Sequence, residues 1–486
     1  MKKKFLLFAV LPLVLGTALA SCKPDDPTPP TPGPDGGFMK EEVTITFTST
    51  IGDNNMAQMN AYIESFKKIE PKITVNNIKE STNYNGLRDK VVSGFTSGNY
   101  PDIVQAYPDH VADYIDYGKA VRIDPYMDNA EYGWSAEDKA DIVPDYLVEG
   151  QLYTTPGTYS APFSKSTELM FYNEDVIHGL DLSAIDPTIN GGKPLNKAYI
   201  QSITWEEMLD KLAPAILKYN DTLPAGKKII TPKDGKSAVI CYDSDDNLFI
   251  TLAKQYGHPY TSVKDGAGSI DFNTKGMQDL LVRFNKYVKD GLLLTKGINN
   301  NAYTNELFTA DAALFSIGST GGVKYQFSAT NPTNVGVALI PQPTTGRKSV
   351  INQGPSVVFL DHGDENRRLA SWLFYKHIAD VENSLDWAIN SGYNGIRLSN
   401  YESEEFKEAT DASNKQPQSQ ERLMALSAGY VGETAPYLFT SEAFKGSSKC
   451  RDAVGGLLTQ ALLSTNPEGE MAKLFDDAEK LAKLGL

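Results

Sequence analysis

The chain has 486 residues, 41% hydrophobic and 22% charged, the balance of a soluble globular protein. A formal charge of −15 makes a surface that repels phosphate backbones, which argues against nucleic acid as a partner. No G-x-x-x-x-G-K-S/T loop and no H-E-x-x-H occurs, and the histidines at 110, 178, 258, 362 and 377 have no metal-ligand spacing. "GSTGG" (318–322) is not a nucleophile elbow, because Ser319 directly follows Gly318. No metal, cofactor or catalytic set is expected, and the chain reads as a non-enzyme.

Lys2, Lys3 and Lys4 precede an apolar run over residues 5–20, which is shorter than the ~20 residues that span a bilayer. Residues 1–21 therefore read as a secretory signal peptide. Leu19-Ala20-Ser21-Cys22 resembles a bacterial lipobox, in which the cysteine takes a diacylglycerol and becomes the new N-terminus. Cys22 is the expected lipidation site, and two acyl chains hold a protein to a bilayer far better than one. Residues 22–40 form a tether: six prolines from Pro24 to Pro34, spaced by Thr, Asp and Gly, cannot bury a core. At ~3.1 Å per residue its stretch 23–37 acts as a spacer of roughly 40 Å. Removing residues 1–21 takes away three lysines and no acid, so the mature charge is −15 − 3 = −18. Cys241 and Cys450 remain, as a disulfide or as two buried thiols.

The folded part is too long for one typical core and predicts two lobes. "EEVTITFTST" alternates as a strand from Val43, and "MAQMNAYIESFKKIEP" carries Met59, Ile63, Phe66 and Ile69 on one helical face before Pro71. "KITVNNIKES" is a strand, "NGLRDKVVSGFTSG" a helix, and "YPDIVQAYP" a strand ending near Ala106. This alternation predicts a mainly parallel sheet covered by helices, with ligands gathered beyond the carboxyl ends of its strands. That rim holds residues 48–52, 80–82 and 107–109. "ELMFYN", "SAVICY" and "AALFSIG" are buried strands of a second α/β lobe, with helices over "WEEMLDKLAPAILKY" and "GMQDLLVRFNKYVKDGLL". Residues 178–203 and 220–236 read as its surface insertions. "NVGVALIPQP" and "PSVVFL" are late strands that return to the first lobe. The expected division is residues 43–160 with 338–364 as lobe 1, and 161–337 with 365–486 as lobe 2, around a cleft suited to a small ligand.

"FKKIEPKITVNNIKES" and "GLRDKVVSGFTSGNYPDIVQA" resemble the extracellular solute-binding proteins of ABC importers, the family of maltose-, oligosaccharide- and glycerol-phosphate-binding proteins. "APFSKSTELMFYNEDVI", "ITWEEML", "VGVALIPQP" and "SLDWAINSGYNGIRLS" occur in the family's order, so the likeness covers nearly all of 43–465. It implies a type II periplasmic-binding-protein fold, two lobes that close on a ligand by hinge crossings. It also implies delivery to permease subunits, and a monomer displayed on the outer face of the cytoplasmic membrane. The family's Gly-Tyr-x-Pro-x-Arg reads Gly392-Tyr393-Asn394-Gly395-Ile396-Arg397 here, and without the proline this loop is expected to be freer. The phosphate-gripping arginine of the glycerol-phosphate branch is matched only loosely by Lys445, Lys449 or Arg451, which favours a neutral sugar over a phosphodiester.

A sugar pocket wants aromatic plates for C–H faces and acid, amide or guanidinium groups for hydroxyls. By resemblance Tyr393 faces the cleft, with Trp387 and Arg397 beside it in the motif. Tyr107 and Trp134 are further candidate plates. Ser319 and Thr320 follow a strand and cap the next helix, where free N–H groups receive ligand oxygens. Ser166 and Thr167 follow the first crossing, and Glu80, Asp245 and Asp246 sit at strand ends as hydroxyl acceptors. Gly354 with Gln353 begins a late strand and closes over the ligand. The rival from another class is a surface glycoside hydrolase, whose acid pair would be Glu80 with Asp245 or Asp246.

Overall fold

The computed structural model describes residues 37–80 and 83–486. Cys22 and the tether up to residue 36 lie outside the described residues, as do two positions of the predicted rim, 81 and 82.

The first lobe is built on a five-stranded sheet. Strand β1 (Val43–Ser49) runs parallel to β2 (Ile73–Lys79) and β3 (Ile103–Ala106), with Val43 opposite Ile73 and Phe47 opposite Ile103. Alternation sends Ile45 and Phe47 into the core. Helix α1 (Asp53–Ile69) joins β1 to β2 and buries Met59, Tyr62 and Phe66. Helix α2 (Tyr84–Ser97) starts where the Asn83 side chain accepts the Gly86 N–H and ends at Gly98, whose φ of 74° suits glycine. Before β1 the chain is fastened down. The Glu70 carboxylate accepts the N–H groups of Phe38 (2.7 Å) and Met39 (3.3 Å), and Met39 is buried in the lobe's core.

The second lobe is organised around β5 (Ser166–Asn173), buried along its whole length. Val335–Leu339, Val350–Gln353 and Phe315–Ser319 pair antiparallel with it, and β6 (Ile240–Tyr242) and Leu293–Thr295 extend the sheet beyond Phe315–Ser319. The predicted insertions are not loose: Leu180, Leu182, Ile189, Leu195, Ile200 and Ile230 bury into this core. Thr204 caps the next helix by accepting the Glu207 N–H (3.1 Å), while the Glu207 carboxylate takes the Tyr199 hydroxyl instead. Cys241 and Cys450 are free buried thiols, so of the two alternatives the disulfide is not formed.

The lobe boundaries differ from expectation. Val335–Leu339 and Val350–Gln353 stay in the second sheet, so the chain returns to the first at Gly354 and Pro355 rather than at 338. Ser356–Phe359 then pairs antiparallel with β3 and with β4 (Ala161–Pro162), which confirms the return itself. Helices Glu365–Ile378 and Val381–Ser391 pack on lobe 1, contributing Trp372, Phe374, Tyr375 and Trp387 to its core, rather than on lobe 2. The two main crossings are therefore residues 163–165 and 354–355, side by side. Gly354 has φ of 82°, and a Cβ there would stand 2.0 Å from the Ser164 carbonyl oxygen, so only glycine lets the crossings approach this closely. Lys165 Nζ joins them, donating to Gly354 O (2.8 Å) and to Glu149 Oε1 (2.6 Å), all buried.

Candidate functional site in the interlobe cleft

Residues just past the carboxyl ends of the parallel strands build the lobe 1 wall. After β1, the Thr50 N–H donates to Gln105 Oε1 (3.3 Å). After β2, Tyr84 meets the Tyr107 ring edge-on, centroids 4.9 Å apart, and Tyr107 itself comes directly after β3. The Tyr84 hydroxyl lies close to those of Tyr393 and Thr50. Tyr393 comes just after Val381–Ser391, which ends on Gly392 at φ 90°. Its ring lies parallel to Trp387 at 6.2 Å, and Trp387 stacks on Phe163 at 4.8 Å. Burial pushes the phenols of Tyr84, Tyr107 and Tyr393 up, so they are neutral hydrogen-bonding groups.

The missing proline does not free this loop. Asn394 ties it down: its N–H donates to Lys165 O (2.7 Å), its Oδ1 accepts from Thr320 (3.1 Å), and its Nδ2 donates to Tyr146 Oη (3.1 Å). Tyr393 also rests against lobe 2, since a Cβ on Gly321 would come within 2.8 Å of its ring.

On the lobe 2 side, Ser319 donates to Ser166 Oγ (3.1 Å) and accepts the Gly321 N–H (3.2 Å). Thr167 donates through Oγ1 to Ile351 O (2.9 Å) and through its N–H to Thr320 Oγ1 (3.3 Å). These four residues come together at the base of the cleft, with Ser166, Thr167 and Thr320 buried and bonded to protein groups. Beyond them lies a cavity of about 50 Å³ whose lining includes Tyr107, Tyr260, Asn352, Gln353 and Arg451. That is room for a few waters, so it holds no sugar-sized solute in this arrangement of the lobes. Asn352 and Gln353 line it as consecutive residues of Val350–Gln353, the Asn352 amide donating to Glu149 (2.8 Å) and Gln353 lying close to Glu168. Tyr303 and Tyr325 remain 59% and 70% exposed near the cleft tyrosines, Tyr303 towards Tyr84 and Tyr325 towards Tyr393.

Several predicted site residues are engaged elsewhere. Trp134 is 5% exposed, packed against Trp372 (5.3 Å) and Tyr375 in the lobe 1 core. Trp387 is buried behind Tyr393 and supports it rather than facing the gap. Arg397 donates to Ala379 O (2.7 Å) and pairs with Asp138 and Asp141, which anchors the end of the motif in lobe 1. Asp245 accepts from Thr295, Thr459 and the Gly297 N–H inside lobe 2. Glu80 pairs with Lys90 at 2.5 Å, and Gly354 is a hinge residue whose carbonyl is bound to Lys165. Asp246 does reach the cleft region, paired with Arg451 at 2.6 Å.

Tyr84, Tyr260, Tyr303, Tyr325 and Glu168 were not singled out by sequence. The one signal for them was composition: 25 tyrosines against 4 tryptophans, with several tyrosines just past strand ends. Glu168 is 1% exposed at the cleft base, accepting from the Tyr242 hydroxyl and from Asn247 Nδ2 (3.0 Å). No cation touches it, and Asp246 lies nearby, so burial lifts its carboxyl from the usual 4.5 to about 7. The folded state then holds a proton that the unfolded chain has lost between those values. The contribution of Glu168 to stability is therefore full below about 4.5 and declines as pH rises to about 7. Glu168→Gln is expected to lack this slope, read as the difference between the two proteins' melting temperatures from pH 4.5 to 8. Parallel profiles would refute it.

Residues 61–414 match the family model described as bacterial extracellular solute-binding protein. The chain belongs to that family. Solved structures agree on the fold of this solute-binding protein. The GacH receptor of Streptomyces glaucescens, studied unliganded and with acarbose, superposes with a TM-score of 0.64 at 16% identity over 92% of this chain and 99% of that one. UgpB from Mycobacterium tuberculosis, in complex with glycerophosphocholine, gives 0.66 at 14% identity over 91% and 98%. Maltose-bound MalE3 of T. maritima gives 0.65 at 15% identity over 91% and 100%. A search of curated protein sequences gives no match. The architecture is the two-lobed α/β fold of these binding proteins, and among the described residues no helix is long and apolar enough to cross a membrane.

Proposed function

We propose that this solute-binding protein captures a neutral sugar or oligosaccharide between its lobes and hands it unaltered to the permease of an ABC importer. In this reading lipidated Cys22 holds it, as a monomer, on the outer face of the cytoplasmic membrane. The observation that carries it is a cleft between the lobes walled by Tyr84, Tyr107, Tyr260 and Tyr393, with the amide residues Asn352 and Gln353 lining its cavity. Rings supply plates for sugar faces, and neutral phenol and amide groups at the cleft suit a ligand rich in hydroxyls. Among the neighbours, the receptor with acarbose and the maltose-bound protein support the sugar reading; the glycerophosphocholine complex supports the phosphodiester alternative.

Closure about the paired crossings needs no chemistry, and a ligand favours it only as far as it binds closed better than open. The hydrolase alternative loses its acid pair: Glu80 is matched by Lys90, Asp246 by Arg451, and Asp245 is bound inside lobe 2. The test is a thermal-shift screen of mono- and oligosaccharides beside glycerol phosphates. At a ligand concentration of ~100 Kd a true ligand adds about 2.7 kcal/mol of stability. A rise with a sugar, and recovery of that sugar unchanged, is expected; release of hydrolysis products would favour the hydrolase.

A further inference from the structure

Among the residues lining the cavity beside Tyr107, Arg451 is the one cation, and Asp109 and Glu442 are the acids. Arg451 stands on helix Ser447–Leu463 of lobe 2, near the stretch where the phosphate-gripping arginine was sought. Its guanidinium is already matched. Nε lies 2.6 Å from Asp246 Oδ2, and Nη2 donates to Asn247 Oδ1. Asn247 is itself fixed by donating to Glu168 (3.0 Å), and Asp246 by accepting from Ser244 Oγ (2.5 Å). Asp245–Gln255 therefore presents a carboxylate and an amide to the guanidinium from its first turn, both held by neighbours.

A guanidinium binds carboxylate and phosphate through the same fork of donors. We propose that Asp246 is a specificity-determining residue, a resident counter-anion in the place on Arg451 that the anionic group of a phosphorylated solute would need. This rests on the reading of the cleft as the solute site. A phosphate that takes the Nε edge of Arg451 displaces Asp246 and leaves that carboxylate without its partner, beside a cavity that already holds Asp109 and Glu442. Losing one partner of a largely buried pair is costly, and the cost falls on anionic ligands alone. Although burial pushes the Asp246 carboxyl up, Arg451 and the Ser244 hydroxyl outweigh it and hold it below the usual carboxylate range, so the counter-anion stays charged at neutral pH.

Isothermal titration of the full chain with inorganic phosphate and with glycerol 3-phosphate tests this. Asp246→Asn keeps the size and removes the charge. It is expected to bind both anions roughly tenfold or more tighter than the parent protein. Asp246→Ser reads the same gain if the amide variant does not fold, as judged by near-UV circular dichroism. Adding Arg451→Gln to either variant is expected to abolish the gain, which separates this cavity from adventitious anion sites. Equal anion affinity in parent and both variants overturns the proposal, as does a gain that survives loss of Arg451. A parallel titration with maltose and maltotriose keeps the two readings apart: their failure to bind counts against the sugar reading, whereas the phosphate arm judges Asp246 alone.

Discussion

Lys165→Met is expected to cost about 3–5 kcal/mol of folding stability, measured as a fall in the urea midpoint at unchanged slope. Lys165 is 0% and Glu149 1% exposed, with Nζ and Oε1 2.6 Å apart. Besides Lys165, Glu149 accepts from Asn352 Nδ2 (2.8 Å) and Ser356 Oγ (3.0 Å), so one carboxylate touches residues on both sides of the second crossing. Burial pulls the Lys165 pKa down, with Glu149 opposing, as expected of an ammonium kept from water by its partner. Removing the lysine leaves a buried carboxylate with two neutral donors and no cation. The double change Lys165→Met with Glu149→Leu removes both charges and is expected to recover much of the loss. A single-variant loss below about 1 kcal/mol would mean the pair behaves as a surface bridge.

Tyr393→Ala is expected to weaken sugar binding at least roughly tenfold, with Tyr393→Phe far milder, since an aromatic plate in a binding centre commonly carries ~2 kcal/mol or more. The ring is held by Trp387 behind, Gly321 beside and the Tyr84 hydroxyl at its tip. Alanine removes the plate. Titration calorimetry with the best sugar from the screen reads the effect, and an alanine variant with parental affinity would remove Tyr393 from the site.

Alternation in "VTITFTS" and the helical face of Met59 and Phe66 made a parallel lobe legible in the sequence because both patterns are local. Which sheet a late strand joins is not local: "VGVAL" and "SVVF" are equally apolar, yet one pairs with β5 and the other with β3. Tyr393 was singled out only through the resemblance of Gly392-Tyr393-Asn394-Gly395-Ile396-Arg397 to a family motif. Trp134 looked free in a polar loop because Trp372, which covers it, comes far later in the chain. Arg397 likewise owes its engagement to Asp138 and Asp141. Arg451 became informative only once Asp246 stood beside it.

The grip of Glu70 on residues 38 and 39 has a mechanical result. It sits where β1 and β2 begin, at the pole opposite the mouth where they end. A pull transmitted through residues 38 and 39 is therefore borne by the half that carries Tyr84 and Tyr107, through the strand ends farthest from those rings.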